Sequence, residues 1–326
     1  MKIGNIELNG NLFLAPMAGI TDLPFRNLCR QLGASLAFSE MISSNPELKD
    51  TRKSQHRTNI KDEPSPRAIQ ILGNDPIQMA DTAKYCVDIG ADIIDINMGC
   101  PAKKVCSKAT GSALLKDEPL IRDILTTVVQ AVPNTPVTLK IRTGWSKKQK
   151  NALSVAKIAE ESGIKALTIH GRTRECLFNG EAEYETIAAV KSESNIPIIA
   201  NGDIDTPDKA KYVLNKTNAD GLMIGRAAVG HPWIFSEILT AVFSYQAPPI
   251  SQASTNKAKN EIIIEHIAQV HQFYGDRQGP KIARKHIQSY CQHKKDYKRF
   301  WNKLNKIEDK NQQLSLLTSY LDSDVS

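Results

Sequence analysis

The residue with the clearest chemical potential in this chain is Cys100. It stands in the segment Asn97-Met-Gly-Cys100-Pro101, directly after an apolar run, and Lys103 and Lys104 follow it closely. A free cysteine is most often an inert small hydrophobe. A Gly-Cys-Pro turn near lysines differs, because it holds a thiol at the end of a strand beside positive charge. We therefore interpret Cys100 as functional, whereas Cys106 lacks such a setting and is interpreted as incidental.

Polar residues also alternate with apolar ones at the ends of several strand-like segments. In Thr138-Leu-Lys140-Ile-Arg142 the polar side chains share one face of a strand. Asp95 and Asn97 repeat this pattern, as do Thr168 and His170. Such groups are costly to bury without partners, and an internal hydrogen-bond network that satisfies itself is one explanation. Because they cluster at the same end of so many strands, we favour a ligand site.

Eight short segments bounded by Gly, Pro or Asp are predicted to be the strands that position these residues. They are Leu12–Met17, Leu36–Met41, Arg67–Gly73, Asp92–Met98, Val137–Thr143, Ala166–Gly171, Pro197–Asp203 and Gly221–Gly225. Helical runs lie between most of them, at Pro76–Ile89, Pro119–Val132, Asn151–Ser162, Glu183–Ser194 and Pro207–Lys216. This alternation predicts a parallel sheet, and eight strands predict a closed (β/α)8 TIM barrel. No G-x-G-x-x-G segment follows the first strand, which argues against a dinucleotide-binding fold.

The pattern changes after Ile238. Residues Gln246–Thr255 are rich in Pro, Ser, Gln and Ala and are predicted to be a linker. Helical spacing then returns at Asn260–Tyr274, Lys281–Tyr290, Lys298–Ile307 and Gln312–Leu321. We predict a TIM-barrel domain over residues 1–244 and a small C-terminal helical domain over residues 245–326.

The predicted helical domain is also the basic part of the chain. Of the net charge of +7, the segment from Tyr245 to Ser326 contributes +5, with 13 Lys/Arg against 8 Asp/Glu. Such a module indicates an anionic partner, although charge runs are usually solvated helix faces. Lys281, Arg284 and Lys285 fall on one helical face and could follow a phosphate backbone.

The first residues of the sequence, its apolar runs and its cysteines predict an ordinary intracellular protein. The start of the chain lacks the features of a signal peptide, and no apolar run approaches the ~18 residues of a membrane-spanning helix. The six cysteines are scattered and form no C-x-x-C pair. A disulfide framework, a zinc ribbon or another metal site is therefore not expected, and we expect a protein of the reducing cytoplasm.

The last two strand ends have the features of a phosphate site. Asn201-Gly202-Asp203 and Gly225-Arg226 fall where TIM barrels commonly bind phosphate. Glycine lets backbone N–H groups approach an anion, and the Arg226 guanidinium adds charge. Lys140 and His170 could lie beside a flavin ring, where a lysine would stabilise negative charge on the reduced flavin. Gln70 and Asn97 offer amide groups to a flat heterocycle.

At these residues the sequence resembles the tRNA-dihydrouridine synthase family, specifically its bacterial B-type branch. The matching segments span the predicted barrel, and Ile282-Ala-Arg-Lys-His286 extends the match into the tail. They are Ala15-Pro-Met-Ala-Gly-Ile-Thr-Asp22, Ser39-Glu-Met41, Asp95-Ile-Asn-Met-Gly-Cys-Pro-Ala-Lys-Lys104, Gly111-Ser-Ala-Leu-Leu115, Leu139-Lys-Ile-Arg-Thr-Gly144, Ile169-His-Gly-Arg-Thr-Arg174, Ala200-Asn-Gly-Asp203 and Met223-Ile-Gly-Arg226.

The resemblance implies FMN as cofactor, NADPH or NADH as reductant, and a uridine flipped out of tRNA, in the D loop, as substrate. It implies that Cys100 donates a proton to uracil C5 while reduced FMN delivers a hydride to C6. By the same analogy, FMN is held by Pro16, Met17, Ala18, Gln70, Lys140, His170, Asn201, Gly202, Asp203, Gly225 and Arg226. We expect tRNA contacts from Asn97, Arg172, Arg284 and Lys285, and no obligate protein partner.

Two other functions fit parts of the sequence. The first is an FMN barrel enzyme acting on a small molecule such as a pyrimidine or an enone, which would not need a basic tail. The second is a non-catalytic RNA-binding protein, against which the thiol and the polar strand ends argue. Flavin absorbance in the purified protein would favour either enzyme over the binding protein.

Overall fold

Eight parallel strands form the centre of the computed structural model, which describes residues 1–48, 51–243 and 255–323. In chain order they are β1 (Leu12–Leu14), β2 (Leu36–Ala37 and Ile42–Ser43), β3 (Ala68–Leu72), β4 (Ile93–Met98), β5 (Val137–Arg142), β6 (Leu167–His170), β7 (Ile198–Asn201) and β8 (Gly221–Ile224). Neighbours pair in the order β2-β1-β8-β7-β6-β5-β4-β3 and back to the second piece of β2. A bridge from Phe38 to Ala68 helps to close the ring. The predicted (β/α)8 TIM barrel is confirmed, and every predicted strand is present.

Helices surround the barrel, and their first turns explain where they begin. They are Leu23–Gln31, Arg52–Thr58, Pro76–Asp88, Lys103–Cys106, Glu118–Ala131, Ala152–Glu161, Glu185–Glu193, Pro207–Thr217 and Ile234–Phe243. The side chains of Asp22, Asp75, Asp117 and Thr206 each accept a backbone N–H of the first turn, and a proline follows at one of its first two positions. The cap side chains accept hydrogen bonds from backbone N–H groups that have no partner within the helix. Proline is tolerated in the first turn because it has no N–H group that would need such a partner. The five helices predicted between the strands are confirmed to within two residues at each end.

The alternation along the strands sorts side chains into two layers. Apolar residues such as Ile94, Ile96 and Ile141 face outward and pack in the large core beneath the helices. The inward positions at the bottom of the barrel are apolar, as at Phe13 and Ile93. The inward positions toward the carboxyl ends are polar, and this layer forms the floor of the site described below.

A short antiparallel pair, Lys2–Ile3 with Ile6–Glu7, adds Ile3 to the apolar bottom layer. A second pair, Gly144–Ser146 with Gln149–Lys150, lies just after β5. Short 3₁₀ helices occur at Pro46–Leu48, Gly111–Lys116 and Arg226–Ala228.

The C-terminal part, which we call the helical region (residues 255–323), consists of three helices: Asn256–Cys291, Tyr297–Leu304 and Lys310–Ser323. The first is broken at Gly275, whose φ of 76° is outside the helical range, so its two arms correspond to the two predicted helices. The region has its own apolar cluster, which includes Ile267, Ile287 and Leu317. The predicted boundary at residues 244/245 and the linker up to Ser254 lie outside the described residues, so the division into domains stays a prediction.

The helical region packs directly on the barrel. Ile262 joins Leu28 and Leu32 of the first barrel helix in a small buried cluster. The ring of Trp233 stacks on Tyr290 at 6.4 Å between centroids. Among the helices that the structure describes, none is both long enough and apolar enough to cross a membrane.

A buried ion pair holds the loop after β1, and its removal should be costly. The Arg26 guanidinium donates to Glu63 over 2.9 and 2.5 Å and to the Thr21 carbonyl over 2.9 Å, and both side chains are at most 1% exposed. Glu63→Gln would leave a buried guanidinium without its counter-charge. We expect the free energy of unfolding, measured by urea titration, to fall by about 3–5 kcal/mol.

The control is an exposed pair, Lys84 and Asp81, whose charged groups are 3.6 Å apart. Asp81→Asn should change the unfolding free energy by about 1 kcal/mol or less, because solvent screens the pair. Equal effects of the two substitutions would show that the Arg26 pair contributes no more than a surface pair.

Candidate active site

One large cavity opens at the carboxyl ends of the barrel strands. Its volume is about 1230 Å³, above the ~300–1,000 Å³ typical of small-molecule sites, so it has room for a cofactor and a second ring. The structure brings all eleven residues predicted to hold a cofactor, together with Cys100 and Asn97, to its wall. These are Pro16, Met17, Ala18, Gln70, Asn97, Cys100, Lys140, His170, Asn201, Gly202, Asp203, Gly225 and Arg226.

Part of the polar layer is an internal hydrogen-bond network. Such a network is one of the two explanations that the sequence leaves open for the polar residues at the strand ends. Asp95 accepts from the Thr138 hydroxyl at 2.6 Å and from the Gln70 amide at 2.7 Å. The Gln70 carbonyl oxygen in turn accepts from the Asn97 amide at 2.7 Å. Burial raises the pKa of Asp95 to about 6, against the effect of these hydrogen bonds. The network fixes the amide groups of Gln70 and Asn97 at the cavity floor.

Lys140 is a buried cation at the cavity wall. Its ammonium group donates to Asn201 Oδ1 at 3.0 Å, and the Asn201 amide donates to the Met223 carbonyl at 2.8 Å. Burial, and secondly the charge of Arg142, lowers the pKa of Lys140 to about 8. An ammonium group has three N–H donors, and among the described residues only Asn201 accepts from this one. Lys140 can therefore donate to a ligand.

His170, at the end of β6, lies close to the same ammonium group. Burial lowers its pKa well below 6.5, and the charges of Lys140 and three arginines lower it further. Its ring is therefore neutral at physiological pH. A neutral imidazole among cations can donate or accept a hydrogen bond without adding charge.

The ends of β7 and β8 form a cationic corner. Arg226 is 59% exposed on its side chain and lies 3.1 Å from Asp203. Burial opposes ionisation of Asp203, but the hydrogen bonds from Arg172 and the Ala182 N–H outweigh it and lower the pKa. A side chain at Gly225 would meet only Ala15 and Met17, so the backbone there is open to the cavity. One carboxylate between two guanidinium groups leaves this corner positive, as a phosphate requires.

The Cys100 thiol is held over the cavity by a loop with fixed geometry. The Asn97 side-chain oxygen accepts the N–H groups of Gly99 at 3.1 Å and Cys100 at 2.9 Å. Arg142 Nε donates to the Gly99 carbonyl at 3.0 Å. Gly111 lies beneath with a φ of 61°, and a Cβ there would lie 2.8 Å from the Cys100 carbonyl oxygen. No residue other than glycine fits this position without strain.

The Cys100 thiol stays protonated at neutral pH. Burial raises its pKa above the ordinary value, and the opposing effects of the Ala102 backbone N–H, Arg142 and Lys140 do not cancel this. The cavity thus combines a protonated thiol, a buried ammonium group and an anion-binding corner.

The family model described as "Dihydrouridine synthase (Dus)" matches residues 13–324. The chain belongs to the dihydrouridine synthase family. The resemblance seen in the sequence motifs is confirmed, and the chain is an enzyme of this type.

Full-length relatives agree with this assignment, and each is called tRNA-dihydrouridine synthase B. The protein of Vibrio cholerae is 52% identical over 326 residues and covers 100% of both chains. That of Pseudomonas syringae pv. tomato is 54% identical over 309 residues, 95% of this chain and 90% of the relative. That of Escherichia coli K12 is 51% identical over 324 residues, 99% of each.

Arg172 lies elsewhere in this dihydrouridine synthase barrel than the sequence suggested. It was predicted to contact tRNA, but it is 3% exposed and does not line the cavity. It donates to both Asp203 oxygens, at 2.8 and 2.5 Å, and to the carbonyls of Asn179 and Gly180. In this arrangement it holds Asp203 and the loop after β6 in place.

The two tail residues predicted to contact tRNA, Arg284 and Lys285, have different surroundings in the structure. Arg284 is half-buried and donates to the Ile307 carbonyl at 3.0 Å, so it stabilises the helical region. Lys285 is exposed, and its ammonium nitrogen lies 2.9 Å from where a Cβ of Gly19 would be. Neither residue lines the cavity, but Lys285 reaches the loop that carries Pro16–Ala18.

Cys106 contacts the Cys100 loop, and the interpretation of its thiol as incidental to the chemistry stays a prediction. The chain turns back over the short helix Lys103–Cys106, and the Cys106 thiol donates to the Cys100 carbonyl at 3.5 Å. The thiol itself does not line the cavity. Spacing along the chain does not show such a turn, because six residues separate the two cysteines.

In the loop after β6, the sequence predicted a role for Arg172 alone. Arg142 Nη1 donates to the carbonyls of Thr173 at 2.8 Å and Leu177 at 2.7 Å. Phe178, half exposed at the cavity wall, lies 5.3 Å from the Arg142 guanidinium and 4.8 Å from that of Arg226. Alternation along β5 had marked Arg142 as inward-facing, whereas no pattern in the sequence singles out Phe178.

Proposed function

We propose that this enzyme reduces uridines of tRNA, in the D loop, to 5,6-dihydrouridine, with FMN as cofactor and NADPH or NADH as its reductant. The observation that carries the proposal is the joint placement of Cys100, Lys140 and the Arg226 corner around one cavity. The names of the full-length relatives supply the substrate class, tRNA, and the product, dihydrouridine.

The residues of the cavity fit FMN. The corner formed by Arg226 and Gly225 suits its phosphate, since it combines positive charge with open backbone. Lys140 suits the ring, because a buried ammonium group stabilises negative charge that develops there. Pro16, Met17 and Ala18 supply an apolar wall, and Gln70 supplies a fixed amide. When bound, FMN supplies the hydride that adds to C6 of uracil.

Cys100 completes the reduction. Addition across the C5–C6 double bond needs one hydride and one proton, and the protonated Cys100 thiol gives the proton to C5. The thiolate that remains lies near Lys140 and Arg142, whose charges favour it, and it regains a proton from solvent. Asn97 and Arg142 act by holding the Cys100 loop, through hydrogen bonds to Cys100 and Gly99.

A uridine in folded tRNA must leave its stack to enter the cavity. The cost of unstacking is offset by contacts between basic residues and the phosphate backbone, for which the helical region carries an excess of positive charge. A tRNA substrate places the enzyme in the cytoplasm. The alternative of a small pyrimidine or enone substrate leaves this basic region without a role.

The test is a map of dihydrouridine in tRNA from a strain that lacks this protein. We expect dihydrouridine to disappear from one or more D-loop positions, and to return when the wild-type gene is restored. The purified protein should show flavin absorbance and form dihydrouridine in that tRNA when NADPH is added. If the deletion strain retains dihydrouridine at every position, tRNA is not the substrate, and small pyrimidines become the compounds to assay.

A further inference from the structure

A buried polar cluster lies where the helical region meets the barrel, outside the cavity. Its members are Asp22, His266, His286 and Tyr290, which we call the joint cluster, and each is at most 7% exposed. Asp22 ends the loop that follows β1, the loop whose earlier residues Pro16–Ala18 line the cavity. The other three lie on the two arms of the long helix Asn256–Cys291.

The contacts within the joint cluster leave several polar atoms unpaired. Asp22 Oδ1 accepts the Phe25 N–H at 3.1 Å and so caps a barrel helix, while Oδ2 faces His286 Nε2 at 3.9 Å. His266 Nδ1 lies 3.0 Å from the Tyr290 hydroxyl. Among the described residues, His266 Nε2 and both ring nitrogens of His286 have no hydrogen-bond partner. Burying unpaired nitrogens is costly, so the approach of His286 to the Asp22 carboxylate is its favourable polar contact here.

The charge state of Asp22 agrees with such a pairing. Burial alone would raise its pKa, but His286, His266 and the Phe25 N–H together lower it, so the carboxylate is ionised at neutral pH. Asp22, His266 and His286 also have the composition of a metal site, with ligand atoms within 4.8 Å of one another. Four ligands around zinc would lie roughly 3.4 Å apart, closer than the 3.9 Å between Asp22 and His286. A structural zinc site also takes four ligands, and among the described residues this cluster offers three.

Lys285, which precedes His286, points away from the joint cluster. His286 is buried against Asp22, whereas Lys285 is exposed and reaches Gly19. Gly19 is itself fixed, because its N–H donates to Glu40 at 2.5 Å and Arg57 holds the same carboxylate at 3.0 Å. His286 thus contacts Asp22 at the end of the β1 loop, and its neighbour Lys285 places an ammonium group over Gly19 in the middle of that loop.

We propose that the Asp22–His286 contact positions Lys285 at the rim of the cavity, where its ammonium group binds a phosphate of the RNA substrate. This inference rests on the proposed function, because it assigns Lys285 to the tRNA. Asp22 and His286 are positioning residues in this scheme, and Lys285 is the residue that touches the substrate. Arg284, which shares the helix, is committed to the Ile307 carbonyl and takes no part.

The test compares Lys285→Ala, Asp22→Asn and His286→Gln in equilibrium tRNA binding at several salt concentrations and in steady-state kinetics. Asparagine keeps the helix cap of Asp22 and removes only its charge. A lost phosphate contact should reduce the slope of log K against log salt by about 0.9. We expect that change in Lys285→Ala and in Asp22→Asn, with KM for tRNA raised about 3- to 10-fold and kcat nearly constant. His286→Gln, which keeps a side-chain donor, should be affected less than His286→Ala.

The double variant Asp22→Asn/Lys285→Ala distinguishes positioning from mere stability. If Asp22 acts through Lys285, the double variant binds tRNA no more weakly than Lys285→Ala. The matched control is Lys84→Ala, an exposed lysine of the barrel helix Pro76–Asp88 that lies 3.6 Å from Asp81. It should change neither the slope nor KM. Circular dichroism confirms that each variant is folded, and His286→Gln serves if Asp22→Asn is not.

Three results would overturn the inference while leaving the proposed function intact. One is a Lys285→Ala enzyme that forms dihydrouridine with an unchanged salt slope. The second is additive losses in the double variant. The third is a stoichiometric divalent metal in the purified protein, measured by mass spectrometry, because the cluster would then be a metal site. Failure of the proposed function looks different: the wild-type enzyme itself would form no dihydrouridine, whatever the slopes show.

Discussion

Cys100→Ala should bind FMN and tRNA yet form dihydrouridine about 10²- to 10⁴-fold more slowly, the usual cost of removing one general acid. The reason is that the hydride step alone leaves C5 without a proton, and the Cys100 thiol is held protonated over the cavity. NADPH should still reduce the bound flavin, because that step needs no proton for uracil. Mass spectrometry of digested tRNA measures the product, and flavin absorbance measures the reductive half-reaction.

Cys106→Ala is the matched control, and it is a stringent control for effects of loop geometry. The Cys106 thiol donates to the Cys100 carbonyl, so its loss perturbs the same loop without removing the acid. We expect dihydrouridine formation within about 5-fold of wild type, the effect of a net hydrogen bond of about 0.5–1 kcal/mol. Near-normal tRNA reduction by Cys100→Ala would remove this residue from the mechanism, and equal losses in both variants would show that loop geometry matters rather than the thiol.

The barrel and most of its site could be predicted from the sequence for a physical reason. In a parallel barrel every strand ends at the same face, so polar residues at strand ends meet there however far apart they lie in the chain. Gln70, Lys140 and His170 illustrate this, since each was identified from its own strand alone. Local alternation was sufficient to place them at the cavity wall.

The remaining features depend on contacts that no local pattern carries. Arg172 follows a strand end, yet it does not line the cavity, because its guanidinium lies behind Asp203 and is bound to that carboxylate and to two carbonyls of its own loop. Arg284 and Lys285 share a helix face, but only the fold decides that one caps a carbonyl and the other reaches Gly19. The joint cluster joins Asp22 to residues in the tail. Such pairings depend on tertiary packing, which composition and spacing do not encode.

Lys140→Met should lose most of its FMN. Methionine approximates the length of the lysine side chain but removes the buried ammonium group, which in the present structure donates to Asn201. A buried partner of a negatively charged ligand is worth more than an exposed one, because little water screens it. FMN content after gel filtration, read from flavin absorbance against protein, measures the loss. Arg226→Ala should also lose FMN, but less, since that guanidinium is 59% exposed.

The pH dependence of FMN binding separates charge from shape at Lys140. Its pKa, lowered to about 8 by burial and Arg142, means that the free protein carries the ammonium charge below pH 8 and loses it above. The dissociation constant for FMN should therefore be flat near pH 7 and rise above pH 8, by at most about tenfold per unit for one proton. Lys140→Met should bind weakly with little change between pH 7 and 9.5. Fluorescence titration of the FMN-free protein measures both curves. A rise of equal slope in the variant would assign the titration to another group, and full FMN occupancy in Lys140→Met would remove Lys140 from the cofactor site.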